Sequence, residues 1–251
     1  MGATGNGRTQ AAAERAAAAP ETALLGAAVR RFARAGVFAR QFAYWKLRSD
    51  PVFIELLRRG LIPDGARLLD LGCGQGVLLA LLLAAQEQHR TGAWPAGWPP
   101  PPASLGLRGI DVAPANVRRA RIALGGEAEI EEADLQHARI AAADVIVILD
   151  VLHYLPPEAQ ERLLGAVAEA LAPGGLLLTR VGDPGAGISA AVTWTVDQLV
   201  TLGRSGRLHR FYRRRVAHWV AALERRGFSV AAEPMSRGTP FANVLLVARR
   251  G

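Results

Sequence analysis

Chemistry in this chain concentrates first in the run Leu68-Leu69-Asp70-Leu71-Gly72-Cys73-Gly74-Gln75-Gly76. An apolar stretch ends in a carboxylate, and glycines follow at 72, 74 and 76. Such spacing reads as a strand turning tightly into a helix, with the turn's backbone free to approach a ligand. A pyrophosphate-binding dinucleotide loop would want G-x-G-x-x-G, and its third glycine is replaced here, with Leu78 following Val77. Asp70 beside the loop instead favours a ligand carrying positive charge. Further carboxylates close later apolar runs: Asp111 with Val112, Asp134 with Leu135, and Asp150 with Val151. Asp111 could hydrogen-bond a cis-diol, since a carboxylate accepts several bonds, or cap the helix starting at Pro114. Asp134 and Asp150 equally suit turn formation. His153 lies three positions past Asp150 and is the natural candidate for a general base. Cys73, the single cysteine, sits between glycines and offers its backbone rather than a reactive thiol. Of the 30 basic side chains only Lys46 is a lysine, which suggests a point charge for an anionic group.

The elements that must position these residues follow from periodicity. Apolar positions from Leu24 to Trp45 recur at helical spacing, interrupted at Gly36, and a short helix is expected from Asp50–Pro51 to Arg59. Strands and helices then alternate. Strands are expected at 67–71, 105–110, 128–132, 144–149, 175–180, 228–232 and 244–248, and helices at 75–85, 114–124, 156–171 and 209–226. The all-apolar 144–149 run suits a strand buried on both faces, and the acidic alternation of 128–132 suits a sheet edge. The pattern predicts one α/β fold with a mainly parallel, doubly wound sheet. Residues 1–20 are too poor in large apolar groups to repay ordering and are expected to be a disordered tail, with 21–60 forming a helical cap. Residues 86–104, with Trp94, Trp98 and five of the 15 prolines, read as an insertion. The 182–208 segment reads as a lid over a substrate.

In order and position these motifs resemble class I S-adenosylmethionine-dependent methyltransferases, over roughly residues 50–250. The resemblance implies a Rossmann-like, seven-stranded sheet with an antiparallel last strand, and S-adenosylmethionine as cofactor. It implies cofactor contacts from Asp70, Gly72, Cys73, Gly74, Gly76, Asp111, Val112, Asp134, Leu135, Asp150 and Val151, with Lys46 on the cofactor's carboxylate and His153 facing the acceptor. Asp70 and Asp111 are 41 positions apart, against about 20 in a compact unit, and the Trp/Pro insertion accounts for the excess. The Phe42–Pro51 region and the overall layout also resemble methyltransferases of bacterial aryl-polyene and related pigment clusters. That likeness implies a phenolic or aryl acceptor, carried as an acyl thioester on a carrier protein.

The net charge is +8, which raises nucleic acid and anionic membrane surfaces as partners. The Arg, Ala, Gly and Pro excess, however, fits a GC-rich coding sequence, and no Asn-Pro-Pro-Tyr-like motif follows Asp150. A small acceptor is therefore expected over RNA. The run Arg204, Arg207, His209, Arg210, Arg213, Arg214 and Arg215, read as helical, keeps RNA methylation or peripheral membrane contact as alternatives. A cofactor-binding protein without turnover is a third. Phe32, Phe38, Phe42, Trp45, Trp94, Trp98 and Trp194 are expected to line an apolar or aromatic acceptor pocket or to enter the core. No metal-ligand spacing, disulfide framework, signal segment or membrane span is read, and a cytoplasmic location is expected.

Overall fold

The computed structural model describes residues 19–182, 211–235 and 243–251. Of the tail expected at 1–20, residues 1–18 lie outside the described residues, while Ala19 and Pro20 are helical and begin the first helix instead; of the lid expected at 182–208, residues 183–208 lie outside them and Gly182 ends a strand. Helix α1 (residues 19–30) passes through a 3-10 turn at Arg31–Arg34 into α2 (Val37–Ser49) and α3 (Val52–Arg58). Gly36 breaks the helical run as its sequence suggests. There follow β1 (Arg67–Leu71), α4 (Val77–Arg90), β2 (Gly106–Asp111), α5 (Pro114–Leu124), β3 (Glu129–Glu132) and β4 (Ala143–Leu149). The chain continues through α6 (Pro157–Ala170), β5 (Leu171–Gly182), α7 (Val216–Glu224), β6 (Phe228–Pro234) and β7 (Asn243–Arg250).

The seven strands run in the order β3-β2-β1-β4-β5-β7-β6. Strands β1 to β5 pair in parallel, and β7 is antiparallel to both β5 and β6. β4 explains why a central strand loses its alternation. Val145 and Val147 enter the core that contains α1 to α5, while Ile146 and Ile148 enter the core against α6 and α7. β3, with one buried and three exposed residues, is the edge.

Three expectations on element bounds change. α4 runs on to Arg90, so the Trp/Pro loop starts at Thr91 rather than at residue 86. Trp94 and Trp98 stack edge-to-face at 5.6 Å, the Trp94 indole donates to the Pro99 carbonyl at 3.0 Å, and Arg58 lies over Trp98. β5 begins at Leu171, because Ala143 pairs with Leu171 before a bulge, and pairing resumes at Val145 with Leu176. The helix read over 209–226 starts only at Val216. Residues 211–215 are not helical, so Arg213, Arg214 and Arg215 of the basic run do not sit on a helix.

Candidate active site

The site is built where β1, β2 and β4 end. β1 is the point at which the chain's crossovers change direction, and open α/β sheets form a crevice outside the strand ends there. A cavity of about 900 Å³ occupies that crevice. Asp70, Gly72, Cys73, Gly74, Asp111, Val112, Asp134, Leu135, Asp150, Val151, His153 and Lys46 all line it. Gly76 does not. It caps α4 in a left-handed conformation, and a side-chain carbon there would come within 2.7 Å of Leu124, so its role is to let α4 pack on α5.

The glycine loop is fixed from beneath. Gly72 and Cys73 donate their amides to the Ile110 carbonyl at 2.8 and 3.0 Å. A side-chain carbon on Gly72 would fall 2.2 Å from Val151, so the loops after β1 and β4 touch only because residue 72 has none. Asp111 joins loop to strand: one oxygen accepts the Gly74 amide at 2.9 Å, the other the Ala113 amide at 2.9 Å and Asn116 Nδ2 at 3.2 Å. Of roughly four lone-pair positions on a carboxylate, about one remains for a ligand. Asp134 does build a turn, accepting the Gln136 amide at 2.9 Å, while still lining the cavity.

Asp70 is 4% exposed, and burial first, then the nearby Asp111 carboxylate, push its pKa up to about 7. The Cys73 thiol is pushed far above its ordinary range by burial and by Asp70, which rules it out as a nucleophile at neutral pH. His153 sits in a 3-10 turn (Leu152–Tyr154) against Tyr154 and Phe211. Burial pulls its pKa down to about 4, against the opposing pull of Asp150, so the imidazole is neutral. Its Nε2 is buried without a hydrogen-bond partner among the described residues.

A buried ionic network forms the wall opposite the glycine loop. Arg180 on β5, 3% exposed, bonds Asp150 through Nε at 2.7 Å and through Nη2, and bonds Asp50 through Nη2 at 2.7 Å and through Nη1. Lys46 on α2 completes it, 2.8 Å from Asp50 and 3.2 Å from Asp150. Two anions face two cations. Burial alone would raise both acids, but Arg180 and Lys46 hold Asp150 and Asp50 below the usual carboxylate range. Asp150 adopts a left-handed backbone, φ 60°, which an Asp tolerates better than most residues. Lys46 is thus already engaged by two carboxylates rather than standing alone for a ligand's carboxylate.

Sequence reasoning missed four residues. Asp50 reads in the sequence only as the start of a short helix, and it accepts the Val52 amide there at 3.2 Å. Arg180 had a detectable signal, a charge at the end of the apolar run Leu176–Thr179, where burial demands partners. Asn116 had none beyond its nearness to Asp111. Gln75, 2% exposed, has both side-chain polar atoms buried and without partners while lining the cavity. Of the aromatic residues expected at the acceptor pocket, Phe38, Phe42 and Trp45 line the cavity, Phe32 is in the core, Trp94 and Trp98 lie outside the cavity wall, and Trp194 is outside the described residues. In the basic run, Arg213 and Arg214 line the cavity and Arg214 is tied to Glu161, while Arg204, Arg207, His209 and Arg210 lie outside the described residues. No cluster of metal-ligating side chains occurs among the described residues.

A protein family described as a methyltransferase domain matches residues 44–233. Carboxy-S-adenosyl-L-methionine synthase of Chromohalobacter salexigens is 34% identical over 142 residues, covering 52% of this chain and 47% of that protein. Ubiquinone biosynthesis O-methyltransferase of Xanthomonas axonopodis pv. citri is 28% identical over 134 residues, covering 51% and 48%. The chain therefore spans about half the length of the curated relatives it matches. Among solved structures, mitomycin 7-O-methyltransferase superposes with a TM-score of 0.57 at 23% identity, over 85% of this chain and 56% of that one. Magnesium protoporphyrin IX methyltransferase from Synechocystis PCC 6803, with bound SAH, gives 0.55 at 21% identity, over 88% and 94%. These likenesses establish the Rossmann-like fold, and the family match establishes that this chain belongs to the methyltransferase-domain family.

Proposed function

We propose that the chain binds S-adenosylmethionine in the β1–β2–β4 crevice and transfers its methyl group to a small apolar or aromatic acceptor. The observation that carries this is the convergence of Asp70, Asp111 and Asp134, each at or just past the end of a neighbouring strand, on one glycine-looped cavity. The fit to the cofactor is testable in the residues. Asp70 is a buried carboxyl with no cation paired to it among the described residues and welcomes a positively charged group. Asp111 retains acceptor capacity for a ribose hydroxyl. Gln75 offers a donor and an acceptor together, which matches an amino-acid head bearing both carboxylate and ammonium.

The cofactor supplies a sulfonium methyl, already activated for in-line displacement. The protein's work is therefore positioning and exclusion of water. Phe38, Phe42 and Trp45 give the cavity an apolar wall suited to an aryl or aliphatic acceptor. His153 is neutral and presents an unpartnered nitrogen, so it accepts a hydrogen bond from the acceptor's hydroxyl and takes its proton as the bond to carbon forms. A small acceptor is preferred to RNA because Arg213 and Arg214 turn toward the cavity, and Arg214 is paired with Glu161.

Calorimetric titration tests the reading. S-adenosylmethionine should bind at micromolar concentration and NAD should not. Asp111→Ala should weaken the binding by about 2–3 kcal/mol, since both the ligand bond and the support of Gly74 go. Equal affinity of the variant would remove Asp111 from the ribose site. No binding by the parent chain would overturn the proposal.

A further inference from the structure

A helix on a protein surface normally buries its large apolar side chains and exposes its small or polar ones. α2 does the reverse. It buries Ala39, Ala43 and Leu47, and it leaves Val37 79%, Trp45 64%, Phe38 56% and Tyr44 38% exposed. At 100° per residue Val37, Phe38, Gln41, Tyr44, Trp45 and Arg48 share one side of the helix. Four large apolar groups on one helix face form a patch that monomeric surfaces rarely leave bare.

We infer that this face of α2 docks on an anionic lipid surface. The charge around it selects the occupant. No acidic residue occurs from Thr22 to Ser49, and Arg30, Arg34, Arg40 and Arg48 are exposed along the stretch. Arg119 on α5 lies over the Phe38 ring at 4.7 Å, adding a cation at the patch border. Of the carboxylates around α2, Glu21 pairs with Arg58, Glu127 with Arg31, and Asp50 with Arg180 and Lys46, while Asp111 and Asp134 lie in the cavity wall. A second copy docking by two-fold symmetry would bring the exposed Arg40 and Arg48 of the two copies together, like charge against like charge, which costs affinity. Anionic headgroups reverse that sign, so each nearby Arg adds to the attraction. Trp and Tyr beside basic residues are also the composition of helices that lie in the interface plane. Phe38 and Trp45 belong to both the exposed face and the cavity wall, so docking sets the cavity mouth against the lipid.

The test is co-sedimentation of the full chain with vesicles. Phosphatidylglycerol-rich vesicles should carry the protein down and phosphatidylcholine vesicles should not, with binding falling as salt rises. The Val37→Ser/Tyr44→Ser/Trp45→Ser variant and the Arg40→Gln/Arg48→Gln variant should each lower partitioning about tenfold or more. Since Cys73 is buried, Tyr44→Cys can be labelled selectively with an environment-sensitive fluorophore. Its emission should shift blue with anionic vesicles alone, an outcome that does not depend on the multiple variants folding. Absence of partitioning overturns the inference, as does partitioning that neither variant set changes. A dimer that the same serine variants dissociate, with no vesicle binding, would assign the face to a second copy and overturn it as well.

Discussion

At the residue scale the most consequential group is Asp70. Its folded pKa, about 7, is raised above the unfolded value near 3.8. A carboxyl raised in this way stabilises the folded chain as a neutral acid below about pH 4, and that contribution is lost as pH rises through 7. A cationic ligand next to it reverses the preference. S-adenosylmethionine affinity should therefore climb by up to about tenfold per pH unit below pH 7, level off above it, and release a proton on binding. Titrations in buffers of different ionisation enthalpy would detect that proton. Asp70→Asn should flatten the profile, and a persistent slope would place the titrating group elsewhere. Gln75 makes a second residue-scale case. Two unpartnered polar atoms in a side chain that is 2% exposed are costly without ligand. Gln75→Leu should stabilise the ligand-free protein by roughly 1–2 kcal/mol in urea unfolding while weakening S-adenosylmethionine binding about tenfold. Weaker stability together with unchanged binding would make Gln75 a packing residue. The motif glycines and acids were visible in the sequence because their spacing is local. Gln75 was not singled out, since an amide between two glycines reads as a turn until its burial is known.

Among elements, the junction of α2 and α3 is the one held most firmly. Asp50 closes α2, accepts the amide of Val52 at the start of α3 and bonds Arg180 on β5, so a single residue ties the helical cap to the sheet. Removing one member of a buried ionic set leaves its partner's charge uncompensated, at a cost of about 3–5 kcal/mol. Asp50→Ala should lose about that much stability, and hydrogen exchange in α2 and α3 should accelerate. A loss under 1 kcal/mol would mean that Asp150 alone satisfies Arg180. The acids' lowered pKa values give the pH sense: the network's contribution is present above about pH 4 and is lost only as pH falls well below it. Element existence was readable along the chain from periodicity. α5 was read at its full bounds from Pro114 to Leu124, because proline and Gly125 punctuate it. The start of α7 was not legible. Arg-rich segments have helical propensity, but Tyr212 instead donates its amide to the His153 carbonyl at 2.8 Å, and residues 211–215 stay non-helical.

For the whole molecule, strand order and site position follow from one another. β1 borders β2 on one side and β4 on the other, and the acids that close these strands and β3 meet above the sheet. Sequence by itself determined the parallel α/β alternation, the buried β4, the edge character of β3 and the acid-and-glycine rim. All of these are encoded in periods of two or 3.6 residues and in short motifs, and neighbouring positions suffice to read them. Only the tertiary structure decided which distant residues meet. Lys46 and Asp50 face Asp150 and Arg180 across 104 and 130 positions, and Trp94 and Trp98 pack by Arg58 instead of lining the cavity. Nor could helical spacing say which face of α2 turns inward, since it carries apolar residues on both sides. Packing chose the smaller side chains, because Ala39 and Ala43 let α2 approach α4 closely, and that choice left Trp45 and Val37 to the solvent.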